Sequence, residues 1–136
     1  MSDDWREIVP VAPELFVADV TEAVRFYTKK LGFTAFRVEN QGGRDNFAIV
    51  AMGKAVVMFA ADYLYEAMGG SVTSPRGVAI DIRIMVDDVE EVHRRCVENE
   101  VTIVHPIADR YYGLRDFVVV DPNGFRLRFA APLSSS

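Results

Sequence analysis

The run Val78 to Val86 alternates as a strand does, and its charged residues all fall on one side. With Ile80, Ile82 and Ile84 turned to a core, Asp81, Arg83 and Met85 point the other way. Phe125 to Ala130 repeats the pattern: Phe125, Leu127 and Phe129 are expected inside, and Arg126 and Arg128 opposite. Near the start, Leu15 and Val17 oppose Glu14 and Phe16. One sheet face is thus expected to gather Glu14, Asp81, Arg83, Arg126 and Arg128, with Phe16, Met58 and Met85 among them. Guanidinium groups offer planar donor forks to a carboxylate, phosphate or carbonyl. Tyr111, Tyr112 and Phe117 offer stacking surface or plain packing. A few placed polar groups between apolar walls is the usual anatomy of a small-molecule site. The alternative is a water-washed sheet face on which the ions satisfy one another, Asp81 with Arg128 for example.

Other chemistry is thin. Met68-Gly69-Gly70-Ser71 lacks the preceding strand and the following lysine of a phosphate loop. No serine has a nucleophile's setting, and Cys96 reads as a small core residue on the apolar face of a helix. Asp81 is a candidate metal-free general base, but a neighbouring arginine lowers a carboxylate's pKa and weakens it in that role. His93 falls beside the inward face of the same helix. His105 precedes Pro106 at a strand end, where a solvated or backbone-bonded imidazole is expected.

The elements that must position these residues come as a repeated unit. Val17-Ala18-Asp19-Val20-Thr21-Glu22-Ala23-Val24 returns as Val86-Asp87-Asp88-Val89-Glu90-Glu91-Val92-His93, each copy ending a strand and opening a helix. Two modules that cannot bury their apolar faces alone are expected to build one shared sheet. In the first, Glu14 to Ala18 is a strand, and Asp19 or Thr21 caps a helix with Val20, Ala23, Val24, Tyr27 and Leu31 inward. Lys29, Lys30 and Gly32 stop it. Strands Thr34 to Glu39, Asn46 to Met52 and Lys54 to Ala60 follow, joined at Gln41-Gly42-Gly43 and at Gly53. In the second, Val78 to Val86 is a strand and Asp88 caps a helix to about Asn99, with Val89, Val92, Cys96 and Val97 inward. Val101 to Val104, Arg115 to Val120 and Phe125 to Ala130 are the remaining strands, the last two joined by the turn Asp121-Pro122-Asn123-Gly124. The plan is βαβββ twice, within one domain from 9 to 131: module one about 9–60, a connection over 61–77 and module two over 78–131. The connection holds a helical turn from Tyr63 to Met68, and Pro132 onward reads as a frayed tail.

The chain has 136 residues, half of them hydrophobic, which suits one globular domain. A net charge of -5 argues against nucleic acid as a partner. No apolar run is long enough for a membrane span, and the acidic start, Met-Ser-Asp-Asp-Trp-Arg-Glu, predicts no secretory signal. A single cysteine excludes an internal disulfide and fits a reducing cytoplasm.

Several segments in this order resemble the glyoxalase, bleomycin-resistance protein and extradiol dioxygenase superfamily, the vicinal oxygen chelate fold. They are Val17-Ala18-Asp19-Val20, Phe26-Tyr27, Leu31-Gly32-Phe33, Val86-Asp87-Asp88-Val89, Tyr112-Gly113-Leu114-Arg115-Asp116-Phe117 and Asp121-Pro122-Asn123-Gly124-Phe125. The resemblance runs from about Val9 to Ala131. It implies an α+β fold of two βαβββ modules in a curled, cup-shaped mixed sheet with helices outside, commonly completed across a homodimer. It also implies where metal-dependent members place His, Gln or Glu ligands. Those positions fall here at Ala12, near Met58, at Asp81 and at Arg128. Ala and Arg do not bind a hard divalent ion and Met binds one poorly; Asp81 alone falls short of a catalytic site's usual ligand set. A displaced set of Glu14, Asp81 and His105 is the metal-binding alternative.

The expectation is therefore a metal-independent, cofactor-free binding protein of the bleomycin-resistance type, a cytoplasmic homodimer that sequesters an aromatic or polar metabolite or antibiotic. Its ligand-binding residues would be Glu14, Phe16, Met58, Asp81, Arg83, Tyr112, Arg126 and Arg128. The alternative is a lyase, isomerase or dioxygenase with displaced metal ligands or with chemistry that needs none, since fold alone does not give function. A third reading is a partner-binding module with an inert cup, for which Ser71 to Arg76 and Tyr63 to Met68 would be contact surface.

Overall fold

The computed structural model describes residues 9–133. The chain divides into two compact units, one ending at Ser74 and the other beginning at Pro75. Each contains its own open four-stranded mixed sheet, so the fold is α+β and the expected βαβββ order appears twice, but in two sheets rather than the one shared sheet expected.

In the first unit, β1 (Glu14–Val17) leads into α1 (Val20–Arg25), which continues as a wider π-helical stretch over Phe26–Leu31. Asp19 is the cap: its backbone is extended and its carboxylate accepts the Glu22 N–H at 3.0 Å. Thr21, the other candidate, instead donates to Asp45 at 2.8 Å. Val20, Ala23, Tyr27 and Leu31 are buried at helical spacing, and Tyr27 sets its ring edge-on to Phe59 at 4.7 Å. Val24, also expected inside, is half-buried. Gly32 ends the helix in the left-handed region at φ 97°, a conformation that costs glycine nothing. Strands β2 (Thr34–Gln41), β3 (Arg44–Met52) and β4 (Ala55–Ala61) form an antiparallel meander, and β1 pairs parallel with β4. The strand order is β1-β4-β3-β2. The connection carries α2 (Asp62–Ala67), one residue ahead of the expected helical turn.

The second unit repeats the order as β5-β8-β7-β6, with β5 (Asp81–Met85), α3 (Val89–Glu98), β6 (Ile103–Asp109), β7 (Leu114–Val120) and β8 (Arg126–Pro132). Asp88 caps α3 by accepting the Glu91 N–H at 3.1 Å, the counterpart of Asp19. Phe117, Val119, Leu127 and Phe129 are buried, and Phe117 meets His93 of α3 edge-on at 5.0 Å.

Five expectations for this unit change. Val78 and Ile80 are 67% and 61% exposed, because Gly77 and Ala79 take φ of 68° and 61° and the alternation starts only at Asp81. Val97 is exposed too, since ten-residue α3 buries a narrow stripe through Val89 and Cys96. Phe125 is half-buried in the turn before β8, where its N–H reaches Asp121 Oδ1 at 2.9 Å. The sixth strand begins two residues late and runs on to Asp109. As the edge strand it accommodates Pro106 within a register shift between His105 and Ala108, and Val101 instead packs into the core. The tail expected from Pro132 starts later: Pro132 closes β8 and the Leu133 N–H reaches Gly113 O at 3.0 Å. Ser134 to Ser136 and the acidic start lie outside the described residues.

Candidate functional site

Register decides which side chains of the second unit meet. Asp81 stands beside Arg126, Arg83 beside Arg128, Val118 beside Arg128 and Asp116 beside Ala130. The face turned away from α3 therefore carries Asp81, Arg83 and Met85 on β5, Arg126 and Arg128 on β8, and Asp116 and Val118 on β7.

The guanidinium of Arg128 is the hub. One terminal nitrogen donates to Asp81 Oδ2 at 2.8 Å; the other donates to Asp116 Oδ2 at 3.3 Å and to the Tyr112 hydroxyl at 3.4 Å. Arg126 holds the other side of Asp81 through Nε at 2.6 Å. Asp116 is 0% exposed and also accepts from Arg110 Nε at 2.8 Å and from the Tyr112 hydroxyl. Arg110 reaches back to the carbonyls of Pro106 and Asp116, which ties the β6–β7 hairpin to the network. Arg83 pairs with no carboxylate among the described residues, and its Cζ lies 5.8 Å from the Tyr112 ring centroid, within cation–π range. A cavity of about 460 Å³ adjoins, lined by Ala79, Ile80, Asp81 and Arg126.

These contacts set the ionisation. The Arg126 hydrogen bond is the largest influence on the Asp81 carboxyl; burial opposes it, and the Arg128 hydrogen bond and both arginine charges add to it, so the carboxyl lies below its usual range. Burial pushes the Asp116 carboxyl upward, but the Tyr112 and Arg110 hydrogen bonds and the Arg128 and Arg110 charges together outweigh it, so it too lies low. The Tyr112 hydroxyl is held above its usual value, first by its bond to Asp116 and then by burial. Neither carboxylate is therefore tuned toward neutral pH as a general base. Burial pushes the Cys96 thiol up to about 12, far from a nucleophile's range.

A protein-family model described as the glyoxalase/bleomycin resistance protein/dioxygenase superfamily matches residues 8–129. The chain belongs to this superfamily. It is similar to a bleomycin resistance protein of Geobacillus stearothermophilus, with 27% identity over 135 residues covering 90% of this chain and 96% of that one. Among solved structures it is similar to TioX from Micromonospora sp. ML1, at TM-score 0.73 and 25% identity, covering 90% of this chain and 98% of the other. A superfamily enzyme from Burkholderia phytofirmans PsJN has the same fold at TM-score 0.71 and 23% identity, over 90% and 97% of the two chains.

The positions that the resemblance assigns to a metal's ligands do not fit one here. Ala12 and Met58 pack with Ile49 and Val56 in an apolar cluster, and Arg128 bonds to the carboxylate that would have to ligate. Among the described residues no three of His, Cys, Asp and Glu are arranged so that they could hold a metal ion. The expected site residues fall into two groups. Asp81, Arg83, Tyr112, Arg126 and Arg128 converge in the second unit. Glu14, Phe16 and Met58 belong to the first, where Glu14 stands in register with Met58 and Phe16 meets Tyr65 at 4.6 Å. Sequence reading missed Asp116 and Arg110. The signal for Asp116 was present, since an acid amid the valines of Arg115 to Val120 requires buried partners. Arg110 carried none, because its role comes from the hairpin's path.

Proposed function

We propose that this superfamily member is a small-molecule-binding protein of the bleomycin-resistance type that works without a metal. It acts as a single domain over 9–131, a cytoplasmic homodimer that sequesters an aromatic or polar metabolite or antibiotic. The carrying observation is the Arg128 guanidinium, held between Asp81 and Asp116, at the position the resemblance assigns to a carboxylate ligand. Its rigidity favours recognition, because a preorganised donor array loses little entropy on binding. Glu14, Phe16, Met58, Asp81, Arg83, Tyr112, Arg126 and Arg128 are the proposed ligand-contacting residues. Similarity to a bleomycin resistance protein supports the reading. Among the described residues no helix is long and apolar enough to cross a membrane.

The test is a melting-temperature screen of purified protein against a metabolite and antibiotic library, with elemental analysis of the same preparation. A ligand that binds only the native state must raise the melting temperature. The expected result is at least one hit, lost in Asp81→Asn/Arg128→Gln, with no stoichiometric metal. Tightly held Zn, Ni, Mn or Fe would overturn the metal-free reading, and a library without any hit would overturn binding.

A further inference from the structure

The charges of the second unit narrow the ligand's chemistry. Four guanidinium groups, those of Arg83, Arg110, Arg126 and Arg128, meet two carboxylates, Asp81 and Asp116, among the described residues of this face. The surplus is positive although the whole chain carries -5. Three of the four cations are committed: Arg126 to Asp81, Arg110 to Asp116, and Arg128 to both. Among the described residues Arg83 is the one left with an open donor fork, and its register places it directly beside Arg128. Tyr112, beneath the Arg83 guanidinium, is anchored through its hydroxyl to buried Asp116. Tyr111 meets Tyr112 edge-on at 5.2 Å and is fully exposed.

We infer that this face takes a planar aromatic carboxylate, with the anion on Arg83 and the ring against Tyr111 and Tyr112. The inference deepens the small-molecule reading and rests on it. A carboxylate matches the planar donor fork and neutralises part of the surplus. A cationic ligand would meet that surplus, and it would find both carboxylates already saturated by arginine donors. The two tyrosines supply aromatic area that an aliphatic acid would leave uncovered. The free cation and the exposed rings sit side by side, so one small molecule can engage both.

The experiment titrates 2-naphthoate, 2-naphthamide and 2-naphthylmethylamine into the full chain by calorimetry, up to millimolar concentration. The carboxylate is expected to bind at least about tenfold more tightly than the amide, the scale of one charge-assisted hydrogen bond, with the amine weakest. Arg83→Met keeps the apolar stem of an exposed side chain that has no carboxylate partner among the described residues. It should lower naphthoate affinity by about 10- to 100-fold and leave the amide unchanged. Arg83→Lys should fall between, retaining the charge without the fork. Equal binding of acid and amide, preference for the amine, or full naphthoate affinity in Arg83→Met overturns the anion inference while small-molecule binding stands. If none of the three probes binds, this inference fails, and the library screen separately decides the broader reading.

Discussion

Replacing Asp116 by Asn keeps the shape of the side chain and removes the charge on which three donors converge. Asp116 is 0% exposed, whereas Arg110 and Arg128 keep 18% and 19% of their side-chain surface. Removing one partner of a buried ion pair costs about 3–5 kcal/mol, because the other charge is left uncompensated. Both arginines still reach water and Arg128 retains Asp81, so the lower end applies, about 3 kcal/mol. The Asn amide group would also turn an N–H toward donors where an oxygen accepted them. Urea unfolding followed by circular dichroism measures the loss as a shift in midpoint at unchanged slope. The pH dependence adds a second readout. The Asp116 carboxyl lies below its ordinary 3.8 in the folded chain, so its contribution is complete above that value. It is lost as pH falls below about 4 and through the folded value. Wild type should therefore lose stability below about pH 4 more steeply than Asp116→Asn, and the Asp81 carboxyl, also shifted down, should leave the variant part of that slope. A stability change under about 1 kcal/mol, within the range of ordinary substitutions, with parallel acid profiles would refute the buried network.

Two further outcomes follow from the repeated units. Asp19→Ala and Asp88→Ala should each cost about 1 kcal/mol by denaturant titration, since each removes the side-chain acceptor at the start of a helix. Costs near zero in both would show that the caps do not bear on stability. Cys96 should react with a thiol reagent at pH 8 only in denatured protein, because burial holds its thiol near 12; rapid labelling of the native chain would contradict its placement.

The sequence by itself determined what depends on neighbours along the chain. The repeat around Asp19 and Asp88 announced two strand–helix junctions, and both carboxylates cap as expected, because a cap is settled within four residues. Strand alternation correctly put Asp81, Arg83, Arg126 and Arg128 on one face, because side chains in a strand alternate with a period of two. Local reading failed where a residue's role depends on distant backbone. Ile80 has the type and spacing of a core residue, yet Ala79 turns the chain before the strand begins. Edge position, which only strand order reveals, allows Pro106 inside β6. The tertiary structure also decided which charges are spent. Arg83, Arg126 and Arg128 are the same residue type on the same face, so sequence cannot rank them. Register and the Arg110 hairpin bring Asp116 under Arg128 and leave Arg83 open, since pairing of charges is a matter of ångströms across strands rather than of spacing along one.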